Sequence, residues 1–287
     1  STPIDFGESR TIPLKAIESA LGEALGGKEV ASALKSYGYT VKSAGQKVAV
    51  QLPPYRNDLL HTVDVVEDVA ISQGYARFAP VMPSQFTVGG LSRLEQMADR
   101  VRHLMVGLEF QEIISNIMGS HQDFCTRMRL DGTEWAKVVE VDNVMSLSYS
   151  CLRQWITPSL LQVETNSSRA FYPHRMFEVG EVAIPDASAD VGSRTVTMLG
   201  AVIAHAGAHF SEIHSCLDLL LYYLDRPFTL EPVDHPSFLD GRAGKIVSNG
   251  RVIGLLGELH PEVLEHWQIG VPAVALEVEI DRLLEEV

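Results

Sequence analysis

Arg242-Ala243-Gly244-Lys245-Ile246-Val247-Ser248-Asn249-Gly250-Arg251-Val252-Ile253-Gly254-Leu255-Leu256-Gly257-Glu258-Leu259 is two largely apolar runs on either side of Asn249-Gly250. Both residues of that dipeptide tolerate positive φ, which a two-residue type I′ turn demands, so the spacing predicts an antiparallel hairpin. Further strand-like runs lie at Phe110–Met118, Lys137–Val141, Met176–Ile184, Arg194–Ala204 and Ala273–Ile280. Helices are expected near Tyr149–Val163 and His209–Leu224. The clearest helical stripe runs from Leu91 to Leu108, through Leu94, Met97, Val101, Leu104 and Met105. Long strands, hairpins and a few helices make residues 91–287 an α+β domain on an antiparallel sheet.

Upstream, residues 1–80 read as a smaller module. Thr11–Leu14 is strand-like, and Leu14, Ile17, Ala20 and Leu21 form a helical stripe. A second helix, Glu29–Tyr37, ends at Gly38, which suits a C-cap. Tyr39–Val41 and Val48–Leu52 pair as a hairpin, and Pro53-Pro54 ends it because proline cannot donate to a ladder. A third helix follows Asp58 and stops at Gly74. Short helices with a hairpin predict a winged-helix-like arrangement, a shape that does not by itself imply nucleic-acid binding. Residues 81–90 read as the linker, within a stretch carrying Pro80, Pro83, Gly89 and Gly90.

Composition narrows the function classes. The 287 residues are 46% hydrophobic and 21% charged, an ordinary globular balance. The formal charge of −14 opposes a polyanion, so the chain is a poor main grip on nucleic acid. Cys125, Cys151 and Cys216 are scattered and odd in number, which points to a reducing cytoplasm rather than a disulfide framework. No apolar run is long enough to span a bilayer, so no membrane partner is expected. Ser1–Arg10 lacks the features of a signal peptide, and a start at Ser1 fits a piece of a longer chain.

Chemistry concentrates at Arg56-Asn57-Asp58 and the run Asp64-Val65-Val66-Glu67-Asp68. On a helix Asp64, Glu67 and Asp68 share one face, with Asp58 near the helix start. Oxygen-only ligands suit a hard ion such as Mg²⁺, which would neutralise the clustered acids. The competing reading makes Asp58 an N-cap and the rest a solvated acidic face, paired with Arg56. Spacing alone leaves both open. Elsewhere, His205, His209 and His214 lack the spacing of a metal helix and read as structural or surface residues. The pairs His235-Pro236 and His260-Pro261 read as architectural turns, and no nucleophile or phosphate loop stands out. No catalytic or cofactor-binding residue is assigned.

Several separated motifs resemble one family in order. Pro53-Pro54-Tyr55-Arg56-Asn57-Asp58, the acidic run above and Gly74-Tyr75 are similar to the winged-helix-like module of the phenylalanyl-tRNA synthetase β subunit. Leu152-Arg153, Pro158-Ser159-Leu160-Leu161 and Met176-Phe177-Glu178-Val179-Gly180-Glu181-Val182 resemble its catalytic-like module. His235-Pro236, Gly241-Arg242-Ala243 and Gly257-Glu258-Leu259-His260-Pro261 continue the resemblance. It implies a class II synthetase-like antiparallel fold for residues 91–287 and a cytoplasmic α2β2 heterotetramer. In that assembly the α subunit binds ATP, phenylalanine and the acceptor end of tRNA(Phe). The resemblance also implies that Asp58, Asp64, Glu67 and Asp68 are Mg²⁺ ligands, in a site shared with the α subunit.

Departures from the pattern matter. A working class II site needs an arginine two residues before a glutamate, and a later glycine-flanked arginine on ATP. Here the strand reads Arg175-Met176-Phe177-Glu178, and Gly200-Ala201-Val202-Ile203-Ala204 carries no arginine. Without those cations the charge of adenylate formation goes unstabilised, so this chain alone is expected to be inactive. Asn143-Val144 stands where the family has Asn-Pro. An editing region would precede Ser1. A bacterial anticodon-binding module would follow Val287, and its absence favours the archaeal and eukaryotic type. The rival expectation is a stand-alone paralogue binding a small molecule or nucleotide in a pocket behind Phe177 and Glu178. A DNA-binding regulator is disfavoured by the acidic third helix.

Overall fold

The computed structural model describes residues 9–167 and 169–284, and the chain divides at Val88/Gly89 into two compact units. In the first, β1 (Arg10–Pro13) leads into α1 (Leu14–Leu21) and α2 (Gly27–Ser36). Then come β2 (Thr40–Ala44), β3 (Lys47–Gln51) and α3 (Thr62–Gln73). The three strands form an antiparallel sheet in the order β1-β3-β2. Val48 and Val50 alternate onto its buried face and meet Ile17, Val30, Leu34 and Val65 from the three helices.

α3 starts three residues later than an N-cap at Asp58 would place it. His61 occupies the N-cap, and Asp64 accepts hydrogen bonds from the backbone N–H groups of Leu60 and His61 (2.8 and 2.6 Å). That is the reciprocal half of a capping box, which satisfies donors that the helix itself cannot. Asp58 is unavailable for capping because Arg56 holds both of its oxygens.

The second unit opens with α4 (Arg93–Gly107), whose Ser92 hydroxyl accepts from the Glu95 N–H. Its strands are β4 (Gln111–Glu112), β5 (Met118–Gly119), β6 (Val139–Glu140) and β7 (Cys151–Leu152). After α5 (Thr157–Asn166) come β8 (His174–Pro185), β9 (Ser193–Ala204) and α6 (Phe210–Tyr223). The chain closes with β10 (Thr229–Pro232), β11 (Phe238–Ser248), β12 (Arg251–Leu259), α7 (Pro261–His266), β13 (Ala273–Glu279) and α8 (Ile280–Leu283).

Seven strands form one sheet in the order β10-β11-β12-β13-β9-β8-β4, antiparallel throughout except for the β4–β8 edge pair. β5, β7 and β6 make a small separate sheet. The architecture is therefore α+β with antiparallel sheets. Asn249 and Gly250 adopt φ 50° and 73° and close the β11–β12 hairpin as expected. Period-2 alternation gives the large sheet two apolar faces. Phe177, Leu199 and Leu276 pack with α4 and α6, whereas Met176, Val202 and Ala275 pack on the opposite face with Ile156 and Leu160 of the α5 region. At Gly254 a Cβ would stand 2.0 Å from the Glu277 carbonyl oxygen, so β12 and β13 require glycine there.

Three expected elements are shorter than their apolar runs, and the strand expected at Lys137–Val141 keeps only β6. The Phe110–Met118 run contains only β4 and the start of β5, because Ser115 leaves the ladder to bond Glu178 and Arg153. The helix expected from Tyr149 begins at Thr157, since Cys151 and Leu152 pair with β5 and β6. The Glu277 carboxylate then receives the Ile156 N–H (2.9 Å) and the Thr157 N–H (2.5 Å) at the helix start.

Candidate functional site

Arg56 follows Pro53-Pro54, outside any strand, and its guanidinium organises the acidic cluster. Nε and Nη2 grip the two oxygens of Asp58 (2.9 and 2.7 Å), while Nη1 donates to Asp68 Oδ2 at 2.7 Å. The Tyr39 hydroxyl donates to that same Asp68 oxygen at 2.6 Å, and the guanidinium lies over the Tyr39 ring, 5.3 Å from its centroid. Bidentate contact with Arg56 holds the Asp58 carboxyl below the usual carboxylate range. Burial, reinforced by the bond to Asp68, pushes the Tyr39 phenol up.

The four expected Mg²⁺ ligands are thus only partly brought together. Asp58 and Asp68 share one guanidinium, Asp64 is committed to the start of α3, and Glu67 projects from its exposed side. Among the described residues no three His, Cys, Asp or Glu side chains converge in a metal-binding group. A cation is already present between two of the acids, in the form of Arg56. In this arrangement the donor set does not fit a divalent ion, which needs several oxygens converging on one point.

In the second unit β8 aims Glu178 onto the face opposite α4 and α6. Its side chain is 5% exposed and pairs with Arg153, at 1%, across 2.7 Å. Arg153 also donates to Ser115 Oγ (2.8 Å) and to the Glu181 carbonyl (2.9 Å), so the buried charge is fully engaged. Arg175 pairs with Glu212 at 2.6 Å, and Glu212 also bonds His205 at 2.8 Å. Arg194 on β9 faces Glu279 at 3.3 Å. Phe177 is fully buried in the α4–α6 core. Phe177 and Glu178 are themselves packed and paired, and a pocket lined by Ser115, Ser159 and Gln162 opens beside the Arg153–Glu178 pair.

The apolar stripes of α4 and α6 are core: Val101, Met105, Leu217 and Leu220 are inaccessible to solvent. Large apolar side chains are instead exposed at Ile114, Met145, Leu147 and Tyr149. Sequence reasoning did not single out Tyr39, Glu277 or Trp135. Only Glu277 left a signal, as an acid within the apolar strand Ala273-Val274-Ala275-Leu276-Glu277-Val278.

A two-unit α+β chain with this sheet is matched by two family models. The tRNA synthetase B5 domain covers residues 10–75, and the phenylalanyl tRNA synthetase beta chain CLM domain covers residues 79–280. Similar proteins named phenylalanine–tRNA ligase beta subunit include one from Treponema pallidum, 36% identical over 99% of this chain and 46% of its own length. Others are from Borrelia garinii (38%, over 99% of this chain and 50% of its own) and Thermococcus onnurineus (32%, 99% and 51%). The chain spans about half the length of these relatives. It belongs to the phenylalanyl-tRNA synthetase β chain family.

Proposed function

We propose that this chain is the assembly part of a phenylalanine–tRNA ligase β subunit and supports the α subunit without forming adenylate itself. The observation that carries the reading is the occupation of its arginines. Arg175 on β8 and Arg194 on β9 are each paired with carboxylates, and Arg153 is buried against Glu178. Adenylate formation needs preorganised cations aimed at developing phosphate charge, and these guanidinium groups are already neutralised. ATP, phenylalanine and the tRNA(Phe) acceptor end would then bind to α within a cytoplasmic α2β2 heterotetramer. No described helix is long and apolar enough to cross a membrane.

The first unit is read as winged-helix-like and the large sheet as class II synthetase-like. Ile114 and Tyr149, which line one pocket, and the exposed Met145 and Leu147 support a protein-facing surface for α, since large apolar side chains gain from being covered. Mg²⁺ at Asp58, Asp64, Glu67 and Asp68 belongs to this proposal for the assembled enzyme, where Arg56 would have to leave Asp58 and Asp68. Titrating Mg²⁺ into the complex and into its Asp64→Ala/Glu67→Ala variant tests it, and equal responses would remove these residues as ligands.

The function itself is tested by ATP–pyrophosphate exchange with phenylalanine. The chain alone should give none. Adding the matching α subunit should give a stable complex by size-exclusion chromatography. Exchange by the isolated chain would overturn the proposal.

A further inference from the structure

A pocket of about 310 Å³ opens on the sheet face that carries Glu277, at the small end of ligand-binding cavities. Three aromatic rings and several aliphatic side chains wall it. Trp135 and His235 lie 4.4 Å apart by ring centroid, and Trp155 and His235 lie 5.6 Å apart. Ile184, Met198 and Leu255 complete the apolar lining.

The polar groups around it carry a pattern. His235 Nδ1 accepts from the Ser237 N–H, and burial lowers the imidazole pKa to about 4, so the neutral ring carries its proton on Nε2. The Trp155 indole N–H is buried without a partner. Lys137 and Lys245 line the pocket, and among the described residues neither ammonium has an ion-pair partner. Arg282 is neutralised by Glu279 at 2.7 Å. Glu277 uses Oε1 for Ile156 and Thr157, and burial raises its pKa to about 7. Glu134 is the unpaired acid of the lining, so the unpaired charges favour an anion. That bias stands out in a chain of net charge −14.

We propose that this pocket binds a small organic anion with an aromatic or branched apolar body, its carboxylate met by Lys137 and Lys245 and its body held among Trp135, Trp155 and His235. The lining residues all belong to this chain, and none is an acid around Arg56. Lysine stems can lie along apolar walls while their ammonium groups meet the ligand's charge.

The test uses the full chain and three probes of matched shape: phenylacetate, phenylacetamide and phenethylamine, followed by calorimetry and tryptophan fluorescence. Phenylacetate should bind about ten-fold more tightly than the amide, the scale of one charge-assisted hydrogen bond, and phenethylamine more weakly than both. Lys137→Met/Lys245→Met should abolish the preference for the acid and leave amide binding unchanged. Trp135→Phe should remove most of the fluorescence response while phenylacetate still binds by calorimetry. Equal affinity for acid and amide, a preference that survives loss of both lysines, or no detectable binding of phenylacetate to the folded chain would each overturn the proposal.

Discussion

The two units handle charge in opposite ways. In the first, Arg56 lies partly exposed between Asp58 and Asp68, and solvent shares the work of neutralisation. In the second, Arg153 and Glu178 are sealed inside, and each of these two charges depends on its protein partners. The contrast teaches where a mutation should hurt: a surface cluster loses an interaction, whereas an internal pair leaves behind an orphaned ion.

Breaking the internal pair should have the largest effect. Arg153→Met strands Glu178 and is expected to destabilise the second unit by about 3–5 kcal/mol, read as a lowered denaturant midpoint. Replacing Glu178 as well should recover part of that loss, because two apolar side chains leave no buried ion. A double variant no better than the single one would show that the loss is packing rather than charge.

The next prediction concerns pH. Glu277 is raised from 4.5 to about 7 by burial, so its favourable contribution, full below pH 4.5, is lost as pH climbs through 7. His235 is lowered from 6.5 to about 4 by burial, so its contribution is present above pH 6.5 and lost as pH falls through 4. The two slopes oppose each other between pH 4.5 and 6.5. Glu277→Gln keeps an acceptor for Thr157 and removes one slope, so stability should then rise with pH over that window, by up to about 3 kcal/mol. An unchanged profile in urea titrations at several pH values would refute the assignment.

Smaller effects belong to the first unit. Asp68→Ala removes the acceptor for Tyr39 and Arg56 and is expected to cost about 2 kcal/mol by thermal unfolding. Asp58→Asn, at a side chain 58% exposed, should cost less than about 1 kcal/mol and less still in high salt. Equal costs at Asp58 and Asp68 would erase the distinction between the rim and the interior of that cluster.

What was legible in the sequence follows from how local each signal is. α4, α6 and β12 carry their own periodicity and turn residues, so each falls within a residue or two of its expected range, whereas β11 starts at Phe238, four residues before the expected Arg242. β5, β6 and β7 have two residues apiece and no period to read. The start of α5 depends on Glu277, far along the chain, and the start of α3 on Asp58 being captured by Arg56. The acids of the candidate site were visible as a pattern. Pairing with Arg56 was one of the two readings that spacing left open, but the hold of Tyr39 on Asp68 was not legible, because that contact forms only when the residue before β2 meets α3. The pocket was less visible still, since Trp135, His235 and Glu277 come from three distant segments.

The outer margin of β8 has a further consequence. β4 covers it only at Met176 and Phe177, which would leave a row of backbone groups open to any passing strand. Arg102 reaches the Val179 carbonyl, Arg153 Nε caps that of Glu181, and the Arg153 carbonyl takes the Ala183 N–H. Guanidinium groups and a crossing loop thereby close a surface on which copies of the protein would otherwise zip together into aggregates. Arg153 thus also helps keep the molecule from sticking to itself.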